Sequence, residues 1–283
     1  MKKYGLNDMP PMREAVPFSL QHVLLMIAST LAVPIIVAGA LSFSGIDTAF
    51  LIQCAIFTAG VTTMVQAFGL GPVGSKLPIV MGCTFTFISP AIVISLQYGI
   101  GAFFGAVIVG GIIEALIGSY LMNYTKKLFP PIVTGSVVMV IGLSLMGVAI
   151  DYSAGINGLP GYGSWQNYAL AFFTLAVILL VNRLSKGFVK GISVLIGTVV
   201  AFAVSVSMGM VDFTAVNNAA WFAIPTPFKY GIEFKLAPIL IVTLIYMVSM
   251  IEYVGDTTGV AMIAVNREPT QKELSAGVKC DGL

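Results

Sequence analysis

Runs of apolar residues long enough to cross a bilayer recur along the whole of this sequence. Spanning the hydrocarbon takes about 20 such residues in a helix. Hydrocarbon holds no water to bond backbone groups, so only helices and closed barrels cross it. The runs lie near residues 18–43, 50–70, 79–96, 100–122, 132–150, 168–181, 189–210 and 240–265. The expectation is an all-α polytopic membrane protein with about eight transmembrane spans. Only 9% of the residues are charged, against about a quarter in a soluble domain. The net charge of +2 gives no pull toward nucleic acid.

The basic residues orient these spans. With the N-terminus cytoplasmic, all but Lys229 and Lys235 of the 14 lysines and arginines fall on the cytoplasmic side, a clear positive-inside bias. The expected location is the cell membrane, multi-pass. Met1–Pro17 is polar and does not read as a cleavable signal. The three cysteines, Cys54, Cys83 and Cys280, lack metal or redox spacing and read as packing thiols. One histidine, His22, excludes a multi-histidine metal centre, so no metal site is expected.

The third run is irregular. It reads IVMGCTFTFISPAIVISL over 79–96, with β-branched and aromatic residues up to Pro90. That pattern is either a short extended strand leading into a half-helix, or a Pro-kinked helix. Broken spans build substrate sites in transporters. The fourth run carries GAFFGAVIVGG, small residues suited to close helix contact. The loop 212–235 holds Trp221, Phe222, Phe228 and Tyr230, which fit a membrane-interface belt; without a basic surround they do not make a nucleic-acid platform.

Charged residues inside apolar runs are the anomalies that bear on function. Glu252 and Asp256 lie four apart in the eighth run, which places both on one helical face. An isolated charge at that depth costs at least ~3 kcal/mol, so such groups face protein or a wet cavity. They read as a substrate or proton site, or as a lock between helices. His22, at the start of the first run, serves a proton path or fixes a helix end. Gln53 and Gln66 read as helix–helix hydrogen-bond partners. Glu114 is protonated, bonded to a neighbouring helix, or functional. Phe85 and Phe87 can stack on a flat ligand or pack a core. No nucleophile elbow, HExxH or Walker loop is present, so an enzyme or a primary pump is not expected. A secondary transporter remains, with a passive channel as the rival.

Several stretches together resemble the nucleobase–cation symporter-2 family, also called nucleobase–ascorbate transporters, the xanthine, urate and uracil permeases. They are SLQHVLLMIASTLAVPIIV (19–37), GCTFTFISP (82–90), LFPPIVTGSVVMVIGLSLMGVA (128–149), MVDFTAVNNAAWFAIPTPF (210–228) and IEYVGDTTGVAMI (251–263). The resemblance implies a fold of fourteen spans in two inverted sets of seven. Residues 1–17 would be a cytoplasmic lead, 18–128 core spans one to four, and 129–211 gate spans five to seven. Residues 212–235 would form an outer loop, 236–266 core span eight, and 267–283 a cytoplasmic tail. Against the family's length the chain would be C-terminally truncated, without the tenth-span signature.

It further implies a proton- or cation-coupled nucleobase importer. Glu252 would hydrogen-bond the base, Phe85 would pack on it, and Ser29 would line the site. Asp256, Glu252 and His22 would carry the proton coupling. An acid at Asp256 tilts the expectation to a purine, xanthine or urate; the alternatives are a uracil permease or a non-transporting half that needs a partner chain. No cofactor is implied beyond the coupling ion, H+ or Na+. The implied partners are the nucleobase, the lipid bilayer and, in the intact protein, a second copy in a homodimer.

Overall fold

The computed structural model describes residues 8–118, 120, 132, 136, 139, 140, 142, 143, 145–155, 161–186, 189, 190, 192–211, 213, 226 and 228–283. Most of the expected fifth span, the 128–149 stretch, Lys126, Lys127, Trp221 and Phe222 lie outside them. The described architecture is helical, with no named strand. Its elements are α1 (Met12–Ala40), α2 (Gly45–Phe68), a 3-10 turn (Phe85–Phe87), α3 (Ile88–Tyr98) and α4 (Ile100–Ile113), which widens into a π-turn (Glu114–Gly118). Then follow α5 (Met146–Ala154), α6 (Trp165–Leu184), α7 (Ser193–Ser207), α8 (Leu236–Ala264) and α9 (Gln271–Asp281).

Among the described residues, five helical stretches are long and apolar enough to cross a membrane: His22–Ala40, Gly45–Phe68, Ile100–Gly118, Trp165–Leu184 and Leu236–Met262. The third and seventh spans are shorter apolar helices, Phe85–Tyr98 and Ser193–Ser207. The third span is broken as its composition suggested. Residues 69–84 are not helical, and helix begins only at Ile88. Pro90 then sits in the first turn of α3, where its missing N–H costs nothing. Where a short strand was one expectation, residues 79–84 have no regular structure and no ladder partner among the described residues, with Thr84 itself extended. Its backbone is supported otherwise. The Thr63 hydroxyl on α2 accepts from Met81 N at 3.0 Å and donates to Met81 O at 3.3 Å. Such support is what non-helical backbone at membrane depth requires.

Around this segment α1–α4, α8 and α9 pack together. Ile94, Ala106, Val242 and Tyr246 bury the contact of α3 and α4 with α8. The small residues of α4 make that contact close. A Cβ on Gly105 would strike the Glu233 carbonyl, and one on Gly110 would fall 2.6 Å from the Tyr246 ring. The loop after α2 folds back tightly: Lys76 N donates to Gln66 O at 2.9 Å, and a Cβ on Gly74 would strike the Val65 carbonyl. Helices α5, α6 and α7 form a second packed group, touching α1 through α7 and through Tyr152. The Tyr152 hydroxyl donates to Ile35 O at 2.9 Å.

Residues 267–283, expected as a polar tail, are not a loose tail. Thr270 and Glu273 form a capping box that starts α9. One face of α9, Leu274, Gly277, Val278 and Cys280, is buried against α2, α8 and the π-turn. Four apolar or small positions at helical spacing outweigh the polar composition of the segment.

Candidate functional site

Glu252 projects from the middle of α8 toward the break in the third span. Its Oε2 accepts from Thr86 Oγ1 at 2.8 Å and from Thr84 Oγ1 at 3.0 Å. The local backbone sets this up. Thr84 is extended and caps the 3-10 turn, its hydroxyl accepting from Thr86 N, so the two threonines face the same way. Both bonds land on Oε2, and Oε1 takes none among the described residues. A carboxylate held by two hydroxyls, with one oxygen left to accept, is suited to an N–H-bearing ligand.

Asp256 is one turn further along the same face, about 6 Å along the axis. It is exposed and interacts electrostatically with Glu252. Phe85 opens the 3-10 turn and is half-buried beside Thr84 and Thr86. Phe87 faces elsewhere, edge-on to Tyr246 with centroids 4.8 Å apart. Ser29 lies half-buried on α1, its hydroxyl bonded to its own helix at Met26 O, 3.0 Å. The Met26–Thr30 turn of α1 abuts the broken span, for a Cβ on Gly82 would fall 3.0 Å from Thr30 Oγ1. His22 is exposed, two turns earlier on α1. The structure therefore joins Glu252 to the Phe85 turn, with α1 alongside.

An apolar cavity of about 700 Å³ adjoins the site between α1, α2, α4 and α8. Thr84, Phe87, Ser249 and Asp281 are in its wall. At its rim Tyr230 packs among Phe43, Phe50 and Phe104, with centroids 5.6–6.3 Å apart. Tyr230 donates to Asp47 Oδ1 at 3.0 Å, and Lys229 reaches the same oxygen at 2.7 Å. Burial, then the Asp47 bond, pushes the Tyr230 hydroxyl up to about 12. Tyr230, expected in an interface belt, is thus a packed rim residue.

Two groups of residues escaped the sequence reading of the site. Thr84 and Thr86 stood there only as polar neighbours of Phe85, although their alternation with Phe85 and Phe87 was the available signal. Asp281 was hidden in the tail; its spacing from Leu274, Gly277 and Val278 marks it as on a buried face. Gln66, fully buried, does bridge helices as expected, its Nε2 donating to Tyr253 on α8 at 2.6 Å and to Ser75 Oγ at 2.9 Å. That bond fixes the rotation of α8 one residue from Glu252. Glu114, by contrast, bonds no neighbouring helix among the described residues.

Residues 13–283 match a model described as Permease family. The chain is 38% identical over 271 residues to the xanthine permease of Bacillus subtilis (strain 168), covering 95% of this chain and 61% of that one. It is 37% identical over 265 residues to the uric acid permease PucK of the same organism, covering 93% and 61%. It is 37% identical over 268 residues to the uric acid transporter UacT of Escherichia coli (strain K12), covering 93% and 55%. The chain thus spans about three-fifths of the length of the curated relatives it matches.

Proposed function

Since this chain belongs to the permease family of nucleobase–ascorbate transporters, which are transporters and not enzymes, we propose that it forms a proton-coupled nucleobase importer for xanthine or urate. The observation that carries the reading is Glu252, held by Thr84 and Thr86 at the break in the third span. Its carboxylate accepts ring N–H groups of the base. Phe85 packs on the flat face, and Ser29 closes the α1 side. Asp256 and His22 take the coupling proton with Glu252. The purine preference is supported by Asp256 and by relatives named for xanthine and uric acid.

Movement between the two packed groups of helices gives alternating access. The group α1–α4, α8 and α9 carries the base site as the core, and α5–α7 belong to the gate, through which two copies pair. The N-terminus is cytoplasmic.

The test is uptake of labelled xanthine by cells expressing the full reading frame. Glu252→Gln keeps size and polarity but loses the anionic acceptor, and uptake is expected to vanish with the protein still in the membrane. Uptake by this variant near the wild-type rate would overturn the assignment. Competition by unlabelled urate but not uracil is expected, and an uncoupler is expected to abolish accumulation; insensitivity to the uncoupler would favour a channel.

A further inference from the structure

Two carboxyl groups remain outside this scheme, Glu114, which is buried, and Asp281, which is half-buried. Glu114 is 5% exposed, and neither of its oxygens has a hydrogen-bond partner among the described residues. It opens the π-turn that ends α4, a local widening that recurs at functional sites. Asp281 closes α9, and its Oδ2 accepts from Ser249 Oγ on α8 at 3.2 Å. Gly282 draws the two elements together: a Cβ there would strike the Gly111 carbonyl and fall 3.2 Å from Glu114 Oε2.

The acids interact electrostatically with each other. From α8, Tyr246 interacts with both, and Glu252, Tyr253 and Asp256 interact with Asp281. On α9 itself, Cys280 interacts with Asp281. None of these neighbours is basic. Two carboxylates that repel each other, with no cation among these neighbours, ionise together only at a cost, so the pair holds a proton more tightly than either acid would alone. One proton relieves that repulsion by leaving one of the two acids neutral. Asp281 and Ser249 line the apolar cavity, so the Asp281 side of the pair borders open space.

We propose that Glu114 and Asp281 form a proton-binding site, separate from the base site, whose occupancy is coupled to base binding at Glu252. The coupling part rests on the importer reading above. The step is addition of a proton to one carboxylate oxygen and its later release, with no other bond made or broken. Ser249 lies one turn from Glu252 on α8, and Asp281 interacts electrostatically with Glu252. Adding that proton therefore alters the field at the base site.

The test compares wild type with Glu114→Gln in the full reading frame. Infrared difference spectra of the purified protein are expected to show a protonated carboxylic acid band, sensitive to deuterium exchange, that is lost in the variant. Xanthine counterflow is expected to persist. Accumulation driven by an imposed pH gradient is expected to fall roughly tenfold, within the usual range for coupling between sites. An acid band that survives the substitution, or gradient-driven accumulation unchanged by it, overturns the proposal. If counterflow also fails in Glu114→Gln, Glu114→Asp decides. Recovered counterflow with a recovered band supports a proton site; an inactive protein at wild-type abundance means a structural role and overturns it. Failure of the wild type to bind any nucleobase overturns only the base reading, since the acid band is read without substrate.

Discussion

Glu252 takes its two donors from Thr84 and Thr86, and those bonds explain how an acid is tolerated there. Hydrogen bonds to charged groups are worth ~1.5–3 kcal/mol each. Thr86→Val removes the shorter one and leaves the carboxylate held by Thr84 alone. The expected outcome is roughly tenfold weaker xanthine binding, since ~1.4 kcal/mol is tenfold in affinity, with Thr86→Ser close to wild type. Equilibrium binding to the purified protein checks this, and unchanged affinity in Thr86→Val would mean that the geometry around Glu252 is not set by its hydroxyl partners. At this scale the acids at 252 and 256 were legible because charge inside an apolar run is expensive. The threonines were not, because threonine is ordinary in a β-rich stretch, and its partner on α8 is 166 residues away.

The element that departs most from its sequence reading is α9. Its polar composition suggested a tail, but an amphipathic face and a strong start make it a docked helix. Arg267 pairs with both Glu273 oxygens, at 2.6 and 2.8 Å. That pairing, with the capping bonds from Thr270, holds the Glu273 carboxyl down at about 2, from an ordinary 4.5. The bound state is thus the ionised one. The contribution of Glu273 is full above about 4.5 and is lost as pH falls from there through about 2. Glu273→Ala removes the returning half of the box and the ion pair while leaving the Thr270 cap, a loss of roughly 1 kcal/mol. Amide hydrogen exchange in α9 is expected to speed up roughly fivefold at neutral pH. Wild-type α9 is expected to loosen across the acid window, while the variant does not respond there. Equal exchange in the two proteins at neutral pH would show that burial of Leu274 and Val278 alone holds the helix.

At the scale of the molecule, helices packed around the broken third span form one group and α5–α7 another. Composition could announce the spans but not this grouping. The basic residues predict which side each loop faces, and the prediction is testable directly. In a background lacking Cys54, Cys83 and Cys280, a cysteine at Lys229 is expected to react with an impermeant maleimide on intact cells. One at Lys76 is expected to react only after permeabilisation. The reverse pattern would invert the topology and place the Tyr230 rim on the cytoplasmic side.

What the sequence determined by itself was the class of structure and the location of its anomalies. Both follow from local physics: hydrocarbon admits helices of sufficient length, and it penalises any charge whose environment is not supplied by protein. The break before Pro90 was legible for the same reason, as a local conflict between residue preferences and an uninterrupted helix. The tertiary structure alone decided that Thr84 and Thr86 serve Glu252, that Gln66 holds Tyr253, and that α9 returns to bring Asp281 toward Glu114. Those pairings join residues far apart in the chain. Each depends on how small side chains let helices approach, as at Gly105, Gly110 and Gly282, and that closeness is a property of packed surfaces that no single stretch of sequence contains.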